Sequence, residues 1–216
     1  MDRPLLLMGY GAFGAWEHNS TVDVTAQAAV ELQRSGIPVR RHIADVSLAR
    51  LPQLLDRLLD EGPVAGILAT GLSGRSADVE VECRALNRAH FTFPDIDGYL
   101  AEDGVLLDGA ASILETHSDV AALSSALSAA GIAHRLSTDA GTYLCNAMYF
   151  HSLLRMQPRG LPALFLHLPP LPGAALKALE RNPRAAVGDV SMPLEVQVAA
   201  VVAVATTLVG RVPQGG

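Results

Sequence analysis

Short apolar runs alternate with segments whose apolar residues recur at helical spacing along nearly the whole chain, and this alternation is what most restricts the fold. Runs of strand length separated by helices are the pattern of a mostly parallel sheet, because parallel neighbours need a crossover long enough to hold a helix. The spacing predicts strands at 5–10, 38–43, 64–69, 133–136 and 163–168, and one extended, alternating strand at 79–86. It predicts helices at 20–34, capped by Asn19 or Ser20 and ended by Gly36, and at 48–59. Further helices are predicted at 119–130, capped by Ser118 and closed by Gly131, and at 142–155 and 192–209. Residues 90–108, rich in Asp and Gly, read as an irregular hairpin or a loop over the site. With no repeat, linker or low-complexity tract, the expectation is one domain over 1–216, an α/β/α sandwich around a twisted, mostly parallel central sheet.

Composition narrows the function. Half of the 216 residues are apolar and mean hydropathy is +0.27, which suggests a deep core, a subunit interface, or both. Net charge is −6 with no basic cluster, so nucleic acid is not an expected partner. The two cysteines, Cys83 and Cys145, make neither a disulfide framework nor a zinc spacing, which fits a reducing cytoplasm. The opening apolar run is too brief for a signal peptide. The apolar stretch 198–209 is broken by Thr206 and Thr207 and preceded by Glu195 and Gln197, so it reads as a buried helix and no membrane association is expected. No metal or organic cofactor is implied.

The most informative residue is Cys145. A polar loop, Asp139-Ala140-Gly141-Thr142, gives way to helical spacing at Leu144, Met148, His151 and Leu154, which puts Cys145 at a helix start. The partial positive charge there favours a thiolate, and the free N–H groups of the turn suit an oxyanion. The plainer alternative is a buried, inert cysteine. A thiol nucleophile needs a histidine base and a group to orient it. His167 stands at the end of an apolar strand, where a core histidine is the ordinary occupant. Glu82 is the candidate orienter, sharing a strand face with Glu80 and Arg84 under a period of two, and Asp139 is a weaker one. The loop from Gly9 to Gly14 has the G-x-G-x-x-G spacing of a nucleotide site, but the predicted helix opens only at Ser20, too late for its N-terminus to meet a pyrophosphate. Gly71-Leu72-Ser73-Gly74-Arg75 lacks the last glycine of a serine-hydrolase elbow.

Several segments, in one order along the chain, resemble the pyroglutamyl-peptidase I family, the pyrrolidone-carboxyl peptidases. Ala140-Gly141-Thr142-Tyr143-Leu144-Cys145-Asn146 resembles its nucleophile motif. Glu82, Ala85 and Asn87 match its glutamate motif, and Leu166-His167-Leu168-Pro169 its histidine segment. Gly9 to Gly14 is similar to its glycine-aromatic loop. The resemblance implies a triad of Cys145, His167 and Glu82 that cleaves N-terminally pyroglutamylated peptides, in a homo-oligomer, either dimer or tetramer. It implies a slot for the neutral lactam ring walled by Tyr10, Phe13 and Trp16, with backbone near Gly71 and Leu72. The chain departs from the family at several positions: Tyr10 for Phe, Ala12 for Pro, Arg75 for Gly, Glu80 for Ser or Thr, Cys83 for a basic residue and Thr92 for Arg. A relative with a different amide substrate or little activity, and a nucleotide-binding module using the Gly9–Gly14 loop, are the alternatives.

Overall fold

Strand β1 (Leu5–Tyr10) is buried at every residue, as its unbroken apolar run requires of a strand covered on both faces. It is the middle of a layered structure. The computed structural model describes residues 3–13, 18–74, 76–174, 177, 180 and 191–210. After β1 come α1 (Thr21–Arg34), β2 (Val39–Ala44), α2 (Leu51–Asp60), β3 (Gly66–Leu72) and β4 (Val79–Glu82). Then follow β5 (Arg84–Leu86), β6 (Ile113–Glu115), α3 (Val120–Ala129), β7 (His134–Ser137) and α4 (Leu144–Met156). The described elements close with β8 (Ala163–Leu168) and α5 (Leu194–Leu208).

The central sheet has six strands in the order β2-β1-β3-β8-β4-β7. All neighbours are parallel except β4 and β8, so the sheet is mixed and mostly parallel. Alternation along each strand divides the core. Leu5, Leu7, Leu68, Leu164 and Leu166 pack with α1, α3 and α5, whereas Leu6, Met8, Ile67, Ala69 and Phe165 pack with α2 and α4. The expected fold class is therefore observed.

Two local readings change. The extended segment at 79–86 is two strands, broken at Cys83: β4 joins the central sheet, and β5 turns away to pair antiparallel with β6. The reason is a competition that periodicity does not register. Cys83 N–H bonds to Ser137 and its carbonyl accepts from Thr116, so the chain changes partners at this residue. Strand β6 was not predicted, since a three-residue edge strand carries too few positions to show a period. No helix among the described residues is long and apolar enough to cross a membrane.

Candidate active site

The parallel strands β1, β3 and β8 end at one edge of the sheet, the edge where α4 begins. There the register lines up a row across four strands: Gly71 on β3 opposite His167 on β8, His167 opposite Glu80 on β4, and Glu80 opposite Arg135 on β7. Residues level with one another in a sheet share a face.

Cys145 is the second residue of α4, after an extended Tyr143 that no side chain caps. The first-turn N–H groups have no carbonyl partner within the helix. Gly141, at φ +76°, makes the turn into this element. The Cys145 thiol lies directly against Gly71: a Cβ there would stand 2.8 Å from Sγ and 2.7 Å from Phe165 Cζ. Gly71 is the only residue type that leaves room for the sulfur.

His167 Nδ1 lies 2.7 Å from Glu82 Oε1, and the same ring makes a side-chain hydrogen bond with Cys145. Burial works against a charged imidazole, but the Cys145 charge and hydrogen bond, followed by Glu82, outweigh it and raise His167 to about 10. Glu82 is fully buried, and its backbone carbonyl accepts from Tyr149 at 2.7 Å, which fixes the end of β4. The three residues singled out from sequence are thus in one continuous chain of contacts. Asp139 is elsewhere: it accepts from Gly141 N–H and serves its own loop.

Glu80 does not share a strand face with Arg84, as its spacing had suggested. It is buried, its carboxylate is paired with Arg135, and its polar atoms lie within 4.8 Å of those of Glu82 and His167. Arg84 instead donates to the Thr138 carbonyl. The strand break at Cys83 separates the two residues.

Two of the three aromatic residues expected to wall the slot are among the described residues. Tyr10 is buried, and its hydroxyl donates to the Leu144 carbonyl at 2.6 Å, beneath the residue that precedes Cys145. Burial first, then the Cys145 charge, lifts its phenol well above the ordinary value. Phe13 is half-buried and faces Phe93 and Tyr143, both at 6.4 Å between ring centroids. Tyr143 in turn sits 4.6 Å from Phe91 and from Phe93, and its hydroxyl donates to the Pro94 carbonyl. The cluster is therefore Phe13, Phe91, Phe93 and Tyr143, three of which sequence reasoning missed. The available signals were Tyr143 two residues before Cys145 and the alternating Phe91-Thr92-Phe93 inside an otherwise polar segment. Trp16 lies outside the described residues. Thr92 is exposed. Leu72 is buried at the end of β3, next to Gly71 and turned to the opposite face.

Two asparagines hold the frame. Buried Asn146 accepts from Leu86 N–H at 2.8 Å and donates to the carbonyls of Leu86 and Arg88, tying α4 to the end of β5 and the residues after it. Asn87 bonds to Leu107 N–H and to the carbonyls of Leu107 and Ala110. The glycine loop is occupied by the protein itself: Asn19 caps α1 through Thr21 N–H, and Thr21 Oγ1 fills the space beside Gly9 and Tyr10. That packing takes up the α1 terminus, where a nucleotide phosphate would have to sit.

The pyroglutamyl peptidase family model matches residues 3–210. The pyrrolidone-carboxylate peptidase of Pseudomonas fluorescens is 30% identical over 171 residues, 79% of this chain and 80% of that protein. That of Thermococcus kodakarensis is 28% identical over 82% of this chain and 91% of its own length. The crystal structure of pyrrolidone carboxyl peptidase from Thermus thermophilus superposes with a TM-score of 0.80 at 34% identity, covering 94% of this chain and all of that one. With the fold, the cysteine–histidine–glutamate contacts and a family match over nearly the whole length in agreement, the chain belongs to the pyroglutamyl peptidase family.

Proposed function

We propose that this protein is a cysteine exopeptidase that hydrolyses the amide bond after an N-terminal pyroglutamyl residue, with Cys145 as nucleophile, His167 as acid and base, and Glu82 as its orienter. The observation that carries the reading is the unbroken contact from Glu82 through His167 to Cys145 at a helix start. The Cys145 thiolate attacks the pyroglutamyl carbonyl carbon, and the first-turn N–H groups of α4 stabilise the oxyanion. The tetrahedral adduct collapses as the C–N bond breaks and imidazolium His167 gives its proton to the departing amine. Neutral His167 then takes a proton from water, whose oxygen attacks the thioester and releases pyroglutamate and the thiolate. The lactam ring, which has no charge to pair, fits against Phe13, Phe93 and Tyr143.

The free thiols of Cys83 and Cys145 suit a cytoplasmic setting. Exposed Ile96, Tyr99, Leu100, Val105, Leu107 and Ile113 favour a homo-oligomer, to be read by light scattering. The test of function is fluorophore release from a pyroglutamyl aminocoumarin amide, with prolyl and alanyl amides as controls. Release specific to pyroglutamate and lost in Cys145→Ala supports the reading; a folded, reduced protein that releases none refutes it.

A further inference from the structure

Strand β4 lies between β8 and β7, and at Glu80 both cross-strand neighbours are titratable: His167 on β8 and Arg135 on β7. Glu82, two residues on and on the same face, is level with Phe165 on β8 and Ser137 on β7. By register, then, Glu80 is the carboxylate directly opposite His167, and directly opposed side chains on one face are the nearest neighbours in a sheet. The hydrogen bond to His167 Nδ1 is nevertheless made by Glu82, at 2.7 Å. What draws Glu80 aside is the Arg135 guanidinium, which pairs with its carboxylate from the β7 side. Ser137 offers Glu82 no such charge.

The two carboxylates are close together and both residues are buried: one oxygen of each and a ring nitrogen of His167 lie within 4.8 Å of one another. Glu82 Oε2 is buried with no hydrogen-bond partner among the described residues. Two like charges this close in a site shut off from water do not both persist without a cation; one carboxylate takes a proton and shares it with the other. The unpartnered Glu82 Oε2 is a ready acceptor for that proton. The titratable groups around the pair are His167 on β8, Arg135 on β7, and Cys145 and Tyr149 on α4, with Cys83 next in the chain and Asp78 just before β4. Apart from His167 itself, Arg135 is the only cation among them.

We infer that Arg135 is a positioning residue for the triad and acts through Glu80: it holds the second carboxylate away from Glu82 and leaves Glu82 to orient His167 and balance its charge. Without Arg135, Glu80 and Glu82 share one proton between them, and His167 loses its full counter-charge. The inference rests on the peptidase reading and adds to it a residue outside the triad on which the reaction depends.

The test is the pH dependence of kcat/KM on the pyroglutamyl aminocoumarin amide in the wild type, Arg135→Gln, Glu80→Ser and the double variant. Loss of the cation lets the carboxylate pair keep a proton to higher pH. The acid limb of Arg135→Gln therefore moves upward by roughly one pH unit, the low end for a charge pair because Arg135 is exposed. With Glu80 gone there is nothing for Arg135 to hold, and the double variant keeps the acid limb of Glu80→Ser. The midpoint of a limb does not depend on how much of each protein is folded, so a purely structural role leaves it in place. An Arg135→Gln limb that coincides with the wild type overturns the assignment. So does a limb displaced equally in the Glu80→Ser background, which marks a charge acting on His167 or Cys145 without Glu80. In either case fluorophore release by the wild type leaves the peptidase reading standing. A folded, reduced wild type that releases none takes both away.

Discussion

Replacing Gly71 by alanine adds one methyl group at the point where the sheet meets the Cys145 sulfur. The new Cβ would stand 2.8 Å from Cys145 Sγ and 2.7 Å from Phe165 Cζ. Ordinary contact begins near 3.5 Å, so each neighbour must retreat by roughly 0.7 Å. Phe165 is fully buried and cannot yield cheaply. The sulfur can rotate, but only out of its hydrogen bond with His167. Overpacking of this kind costs about 1–3 kcal/mol of stability. For a chain of this size that is a fall in Tm of roughly 3–10 °C. Displacing a reacting atom by close to 1 Å costs on the order of 100-fold in rate. The expected result is a kcat on the pyroglutamyl aminocoumarin amide lowered by about two orders of magnitude, with a cooperative thermal transition retained. Gly104→Ala is the control, since its Cβ meets nothing within 4 Å, and it should leave both quantities unchanged. A Gly71→Ala enzyme with wild-type kcat would refute the placement of the thiol against the strand.

Other consequences concern charge and framing. His167, raised to about 10, must be protonated to release the amine, so kcat/KM should hold through neutral pH and fall as pH rises through about 10. Glu82→Gln removes one of the raising charges and should bring that fall to lower pH; an unmoved limb in the pH–rate profile would argue against the Glu82–His167 link. Since its pKa is raised in the folded protein, His167 contributes stability that is complete below the unfolded value near 6.5 and lost as pH climbs through about 10. Thermal melts should therefore show a smaller loss over that interval in Cys145→Ala, which lacks the largest raising charge. Arg135→Gln strands the buried Glu80 carboxylate beside Glu82, and a penalty of about 2 kcal/mol is expected in urea unfolding, discounted because Arg135 itself is exposed. Adding Glu80→Ser should recover most of it, and a double variant no better than Arg135→Gln would show that the pair is not the cause. Asn146→Ala removes three hydrogen bonds between α4 and residues 86–88, and about 3 kcal/mol of stability should go with them.

The layered fold was legible because strands buried on both faces announce themselves as apolar runs, as β1, β3 and β8 do. Cys145 was legible as the start of a helix because Gly141 and the spacing of Leu144 and Met148 mark the transition. Three matters were beyond local pattern. The break at Cys83 depends on partners more than thirty residues away in sequence, so an alternating segment looked like one strand. The burial of Glu80 depends on Arg135 arriving from β7, which no spacing within β4 reveals. The aromatic cluster draws Phe91 and Phe93 from an irregular segment, where periodicity says nothing about which way a ring faces. Tyr10 lies near Cys145, but its hydroxyl is spent on the Leu144 carbonyl.

The central claim is that Cys145 carries the acyl group during turnover. Acid-quenched mixing of the protein with a pyroglutamyl ester, followed by peptide mapping in a mass spectrometer, reads this directly. The account expects a single pyroglutamyl thioester on the peptide that holds Cys145, formed within the first turnover and absent in Cys145→Ala. Turnover with no adduct on that peptide, or an adduct on Cys83, the only other thiol in the chain, would contradict it.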